Sequence, residues 1–462
     1  MKLRIKAVLA LTTILAATPM VSAETLKEAL AAAYASNPQL MAQRAALRAV
    51  DEGVASANAG FLPSINGTGT FTRGAGDFER VGEGAAADFD IQRDDYAVNV
   101  DQNLFNGFQD YNSRKQAVRT VRASREQLVS VEQQVLLDGV TAYMNVLRDE
   151  AVVELNQNNI QVLERQLQAS RDRFRVGEVT RTDVAQSEAR LEGAKSTLLT
   201  AEATLAGSRA LYQRVIGRPP ATLETPSEKP TLPENLDAAL EIAVAESPSV
   251  KAARFNEEAA RYAINSAKGT LLPSLGVRAA YNRQEGIQRD NTASATVDTI
   301  QNSRSVSIQL SVPLYNGGAR HSNVRRAKQV RSQRMMEIYQ AERVAQEGVL
   351  VAWDNHRASK GQILSTEAQV RANEIALEGV RQEAYVGSRT TLDVLNAEQE
   401  LLNARVSLVR AQRNESVAAY SLVSSLGRLT ARDIGLGVDL YDDKAYFDKV
   451  NDKFIGLDTK VR

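Results

Sequence analysis

Shifted by 210 residues, the sequence falls on itself without a gap. Leu26 meets Leu236, Pro38 meets Pro248, Pro63-Ser64 meets Pro273-Ser274, and Asn106-Gly107 meets Asn316-Gly317. The same shift pairs Glu132 with Glu342, Val176-Gly177 with Val386-Gly387, Asp183-Val184 with Asp393-Val394, and Gly217 with Gly427. A period this long exceeds that of any solenoid and marks a duplicated domain. The halves, 24–217 and 235–427, therefore share one topology. Between them, 218–234 holds five prolines and reads as an extended connector. An unduplicated tail, 428–462, rich in Asp, Gly and aromatics, is expected to pack on the outside or to stay partly disordered.

Each half reads helix, two strands, long helix, turn, helix. Leu26 to about Gly60 is rich in Ala, Arg and Gln and is interrupted at Asn37-Pro38, which predicts two short helices in sequence. The period then becomes two: Ile65, Gly67, Gly69 and Phe71 alternate with Asn66, Thr68, Thr70 and Thr72, and Val306, Ile308 and Leu310 alternate with Ser305, Ser307 and Gln309. Hairpins are expected over 64–105 and 274–315, with strands of about ten residues joined by polar loops at 73–95 and 283–304. An ordinary sheet on a soluble core and the wall of a membrane barrel both fit such strands; long polar loops on one side favour the barrel.

From 109 to 176 and from 319 to 386 there is no proline and little glycine, so each stretch can form one helix of roughly 100 Å. Tip turns at 177 and 387 lead into helices 178–216 and 388–426. Apolar and small residues recur at intervals of three and four: Ile160, Leu163, Leu167, Ser170 and Phe174, then Val184, Ser187, Leu191, Ala194, Leu198, Ala201, Leu205, Ser208 and Tyr212, and in the second half Ile363, Thr366, Val370, Asn373, Leu377, Val380 and Ala384. These are seams of coiled-coil hairpins. The two short helices end to end, with the helix after the turn, match the long helix in length and would lie antiparallel to it.

Lys2, Arg4 and Lys6, the apolar run Ala7 to Ala17 and the small-residue site Val21-Ser22-Ala23 read as a secretory signal over 1–23. The mature chain then carries 53 basic and 56 acidic groups, a net charge of −3. With no cysteine in the chain, a lipoprotein anchor, disulfides, thiol catalysis and cysteine-based metal sites are excluded. No mature segment is apolar for about 18 residues, so a membrane crossing requires a closed barrel. One chain supplies four strands and closed membrane barrels begin at eight, so such a barrel needs several copies; strand counting alone allows two. Balanced charge speaks against nucleic acid. With His321 and His356 the only histidines, no catalytic, cofactor or metal site can be assembled. Both are expected on helical surfaces, and Trp353 in a core. Seven carboxylates at Asp77, Glu79, Glu83, Asp88, Asp90, Asp94 and Asp95 lack the ligand spacing of a calcium loop and read as solvated charge.

The ungapped duplication, Leu-Pro-Ser at Leu62 and Leu272, Leu-Phe-Asn-Gly at Leu104, Leu-Tyr-Asn-Gly at Leu314, and the turn segments 173–184 and 384–394 resemble the TolC family of outer-membrane efflux and type I secretion channel proteins. The resemblance implies a mainly α protein with a membrane β-barrel: a homotrimer with a twelve-stranded barrel and a long periplasmic α-helical tunnel. It implies outer-membrane lipid around the barrel, a periplasmic adaptor at the tunnel tip, and an inner-membrane transporter of the ABC or RND type that supplies energy. The alternative is a soluble periplasmic coiled-coil scaffold or adaptor.

Three groups of residues carry the implied function. Val176, Gly177, Val386 and Gly387 match the tips that meet the adaptor, although glycine there also serves to reverse a helix. Asp393 matches an acidic constriction ring whose second position is Asn396 here; helix N-terminal capping explains an aspartate equally simply. Arg389 and Asp183 match an ion pair that holds the tip shut, with Thr182 at a second locking position whose usual tyrosine partner is replaced by Ala384.

Overall fold

The computed structural model describes residues 23–79, 86–290 and 295–459. The signal segment 1–22 and Glu83 of the acidic stretch lie outside the described residues. Among those residues the order is α1 (Leu26–Ser36), α2 (Pro38–Asn58), β1 (Ser64–Glu79), β2 (Ala86–Phe105), α3 (Gln109–Arg175), α4 (Arg181–Ile216), α5 (Leu236–Glu246), α6 (Pro248–Gly269), β3 (Ser274–Asp290), β4 (Ala295–Ser311), α7 (Ala319–Tyr385), α8 (Thr391–Ser425) and α9 (Ala445–Val450). Asn37 separates α1 from α2 by capping: its side-chain oxygen accepts from the Gln39 and Leu40 amides, and Pro38 occupies the first helical position.

The chain forms two compact units, one of residues up to 33, 139–229 and 366–413, the other of the remainder. In the first unit most of the predicted seam is buried, although Phe174 near the tip is 45% exposed. Ser187, Leu191, Ala194, Ala201, Leu205, Ser208 and Tyr212 of α4 are all buried. Leu163 and Leu167 of α3, Leu191 and Ala194 of α4 and Leu395 of α8 form one cluster, with Ile160 and Val184 beside it. Small seam residues bring helices close enough for Ser170 and Ser187 hydroxyls to meet at 3.1 Å.

The same unit anchors Glu24, the residue that follows the predicted cleavage site. Its amide donates to Thr222 O at 2.8 Å and its carbonyl accepts from the Glu224 amide at 3.0 Å. Tyr143 O–H donates to the same carbonyl at 2.7 Å. The buried Glu24 carboxylate accepts from Tyr212 O–H at 2.8 Å and from Arg218 Nη2 at 2.8 Å. Burial raises both phenols above their ordinary range, so they stay neutral donors.

The second unit holds an antiparallel sheet in the order β1-β2-β3-β4. The sequence duplication extends to its hydrogen bonding: Ser64 faces Asp101 in β1–β2, and Ser274 faces Ser311 in β3–β4, each 210 residues on. Register fixes the faces. The row Ile65–Val100–Ala279–Val306 and its neighbours Val98, Tyr281, Ile308 and Leu310 present one apolar face. The row Ser64–Asp101–Arg278–Ser307 presents a polar one, bearing an Arg278–Asp101 ion pair. The apolar face is open to solvent in the single chain, Val306 being 77% and Ile308 71% exposed. Among the described residues no helix is long and apolar enough to cross a membrane.

The strands are 16 to 20 residues long, not about ten. The stretches expected as polar loops continue the four-stranded ladder, with solvated ion pairs across strands, Arg73 with Asp94, and along one strand, Arg93 with Asp95. Asp77, Asp90, Asp94 and Asp95 therefore lie on strands, and the backbones of Glu79 and Asp88 do too. The second hairpin ends at Ser311, before Pro313, which cannot donate to a ladder.

At the base of the sheet, Gly107 at φ 68° meets Gly269 backbone to backbone: a Cβ on Gly107 would stand 2.2 Å from Gly269 O. Its counterpart Gly317 has nothing within 4 Å. Phe108 is the one non-glycine residue among those described with positive φ, at 63°, where the second half has Gly318. A second core joins Ala239 and Ala243 of α5, Val349 and Ala352 of α7 and Leu422 and Leu426 of α8, with Trp353 packed beside it. His356 is buried, not on a surface as expected; His321 is exposed. The tail is ordered from Arg428 through α9, which packs on α2 and buries Tyr446 and Val450.

Candidate functional site

The two tip turns both belong to the first unit and have the same build. After α3, the Gly177 amide donates to Phe174 O at 3.0 Å and the Glu178 amide to Arg173 O at 2.9 Å. After α7, the Gly387 amide donates to Ala384 O at 3.2 Å and the Ser388 amide to Glu383 O at 2.9 Å. This paired closure needs a left-handed residue, and both glycines sit at φ 82°. Neither glycine would crowd a Cβ, so backbone conformation alone requires it. The turns are longer than a single residue: the next helices start at 181 and 391, not at 178 and 388.

Each following helix opens with a reciprocal cap. Thr180 Oγ1 accepts from the Asp183 amide at 3.3 Å, while Asp183 Oδ2 accepts from the Thr180 amide at 2.9 Å. Thr390 and Asp393 repeat the pattern at 3.3 and 2.9 Å. Both aspartates thus perform the capping that the sequence allowed. Bonds from the Thr390 backbone, then its side chain, hold the Asp393 carboxyl below the usual carboxylate range, and it stays charged near neutrality.

The locking pair does not form within one chain. Arg389 Nε donates to Glu383 Oε2 at 2.7 Å, across its own turn, and Asp183 is taken by Thr180. The six-residue spacing of Glu383 and Arg389 brackets the Schellman turn, which brings them together without any partner. Thr182 is exposed and makes no contact that substitutes for the missing tyrosine hydroxyl. Asn396 is engaged instead by Arg190 Nη2 at 2.7 Å, linking α8 to α4. Beyond it, Arg381 donates to the buried Glu398 at 3.1 Å. Sequence reasoning missed Arg190 and Glu398; neither stands at a predicted seam position, and only pairing of the helices reveals their partners.

Apolar residues stand exposed at both turns. Val176 is 71%, Val386 76% and Tyr385 88% exposed. An exposed valine beside a turn glycine lowers no energy in the isolated chain. Among the described residues no group of three or more His, Asp or Glu side chains could hold a metal ion.

A duplicated antiparallel helix hairpin joined to a sheet with one apolar and one polar face defines a class of barrel-and-helix export channels. Comparison with known proteins narrows this. The sequence profile described as outer membrane efflux protein matches residues 29–218 and 239–428, one match per half. The chain is 33% identical over 439 residues to the outer membrane efflux protein BepC of Brucella suis, covering 94% of this chain and 92% of that one. It is 28% identical over 426 residues to the outer membrane protein TolC of Vibrio cholerae, covering 89% and 92%. Among solved structures, the Campylobacter jejuni CmeC outer membrane channel superposes with a TM-score of 0.74 at 14% identity, covering 92% of this chain and 89% of that one. CusC gives 0.73 at 18% identity, with 87% and 91% covered. The chain belongs to the outer membrane efflux protein family. It is an outer-membrane channel protein of efflux and secretion, in a family of channels and not of enzymes. The soluble scaffold reading is set aside by this membership.

Proposed function

We propose that three copies close into a twelve-stranded barrel continued by a helical duct, a passive exit for drugs or secreted polypeptides driven by an inner-membrane transporter. The observation that carries this is the repeat of the sheet register. Within the chain, β2 pairs with β3 so that Val98 faces Tyr281 and Val100 faces Ala279. Moving β2 forward and β3 back by 210 residues gives β4 against β1 of the next copy, with Ile308 facing Phe71 and Leu310 facing Gly69. One rule then makes every seam alike, and neither edge strand stays open, as lipid requires. The apolar face turns to lipid and the polar face, with Arg278 and Asp101, lines the channel.

At the tip turns, Val176, Gly177, Val386 and Gly387 meet a periplasmic adaptor, itself bound to an ABC or RND transporter. The exposed valines support this, since docking would remove them from water. With Asp183 and Arg389 each satisfied locally, the tip lock is a contact between copies: Arg389 leaves Glu383 for Asp183 and Thr182 of a neighbour when the tip shuts. Asp393 supplies one carboxylate per copy to the constriction, next to the uncharged Asn396.

The native chain lacks cysteine, so a designed pair reports cleanly. Ile308→Cys with Phe71→Cys is expected to yield covalent trimers on oxidation, because facing residues in antiparallel strands lie within disulfide reach. Ile308→Cys with Gly67→Cys is four residues out of register and should stay uncrosslinked. Dimers as the largest covalent species, or equal crosslinking by both pairs, would refute the closure.

A further inference from the structure

Positive charge is spread evenly over most of this chain, but not below the sheet. From Thr299 to Met336 there is no Asp or Glu, while Arg320, Arg325, Arg326, Lys328, Arg331 and Arg334 crowd the start of α7. So many cations with no acid among them repel one another, so this placement needs an external reason. Three of the six have protein partners: Arg320 donates to Thr270 O, Arg331 to Glu257 at 2.6 Å, and Arg334 to Glu337 at 2.6 Å. Arg325, Arg326 and Lys328 are exposed and make no hydrogen bond or ion pair with the described residues.

Their position relative to the apolar sheet face supplies the reason. Leu314 and Tyr315, immediately before α7, are 92% and 86% exposed, and Phe108 and Tyr111 stand exposed at the start of α3. Exposed aromatics between an apolar band and a charged segment mark a membrane–water interface. Spacings of four and three put His321, Arg325 and Lys328 on one stripe, about 9 and 14 Å down the axis from Ala319 for the two cations. The matching positions of α3 are Tyr111, Lys115 and Val118, so the first half repeats one of the two cations. Lys115 lies over the Tyr111 ring at 5.5 Å, so this stripe follows the interfacial aromatics.

We infer that Arg325 and Lys328, with Lys115 from the first half, form a collar that binds the phosphates of anionic phospholipids in the periplasmic leaflet of the outer membrane. Basic residues just beyond a membrane-embedded segment attract anionic headgroups within a Debye length. The duplication indicates how much of the stripe a neighbouring copy would cover. Helix α3 already has chain on both sides, Arg114 reaching Asn58 of α2 and Arg119 reaching Glu258 of α6, yet Tyr111 stays exposed and Lys115 and Val118 stay half-exposed. By the same rule Arg325 and Lys328 on α7 keep about half their surface open when the seams between copies are made. The inference rests on the barrel standing in lipid as proposed above.

The test is native mass spectrometry of the intact detergent-solubilised oligomer, titrated with phosphatidylglycerol or with phosphatidylcholine of the same acyl chains. Wild type is expected to hold phosphatidylglycerol at least about fivefold more tightly, with the preference falling as salt rises. Arg325→Gln with Lys328→Gln should remove most of that preference, and Arg325→Lys should keep it. Equal retention of the two lipids by wild type, or an undiminished preference in the double variant, overturns the collar. Conductance in planar bilayers, measured on the same samples, reports on the barrel: a conducting channel without lipid preference refutes the collar alone, whereas a wild type that forms no pore refutes the barrel reading.

Discussion

Asp51 lies under the C-terminal tail, and replacing it with asparagine should change how firmly that tail is held and how the hold depends on pH. The side chain has no exposed surface, and neither carboxylate oxygen has a hydrogen-bond partner among the described residues. Asp443, Tyr441 and Tyr446 of the tail, Arg48 and Glu52 of α2, and Arg125 of α3 are the titratable groups around it. Burial pushes its carboxyl up to about 6, Arg125 pulling it back and Asp443 and Glu52 adding to the rise. A group raised in the docked state stabilises docking fully below its free value near 3.8, and that contribution is lost as pH climbs through 6. The whole swing amounts to about 3 kcal/mol at most, since water penetration at moderate depth reduces it. Between pH 5 and pH 7.5 the linkage leaves about a tenfold change in the opening constant of the tail. Hydrogen exchange of amides in 445–451, corrected for the pH dependence of chemical exchange, measures that constant. Wild type should open about ten times more readily at pH 7.5, and Asp51→Asn should flatten the dependence. Equal opening constants at the two pH values, or an unchanged slope in the variant, would refute the reasoning.

Gly107→Ala combines a strained φ with a Cβ 2.2 Å from a backbone oxygen and should cost more than about 3 kcal/mol, whereas Gly317→Ala should cost about 1 kcal/mol; thermal inactivation of the two oligomers compares them. Tyr212→Phe deprives the buried Glu24 carboxylate of a donor and should lower stability by about 2 kcal/mol, seen as faster proteolysis near the N-terminus. Arg389→Ala should raise single-channel conductance by loosening the contact between copies, while Glu383→Ala, which only frees Arg389, should not; equal effects would point to the turn itself. Substituting both Gly177 and Gly387 with valine should abolish export while the oligomer persists, read by efflux assay and native gel.

The duplication was the most legible part of the molecule, because a shared backbone needs the same turn residues at the same offsets. Gly177, Gly387, Gly217 and Gly427 all adopt the left-handed conformation that their place after a helix predicts. The seam of α4 was readable for the same reason, as a period of three and four set by helix geometry. Strand length was not, since Arg73, Asp94 and Asp95 carry no apolar alternation, and they join the ladder with charge pairs between strands, Arg73–Asp94, and within one, Arg93–Asp95. At the tips, Thr180–Asp183 and Thr390–Asp393 were visible as local spacing, whereas Arg190–Asn396 joins residues 206 positions apart and depends on helix pairing. The clamp on Glu24 was hidden likewise: Tyr143, Tyr212 and Arg218 converge on it from distant segments.

The sheet of a single chain has two bare margins, β1 and β4, and a bilayer tolerates neither. Insertion and association must therefore be one event. Biogenesis should accelerate more than proportionally with the supply of newly secreted chains, and a lone chain waiting in the periplasm needs its adhesive margins shielded until companions arrive.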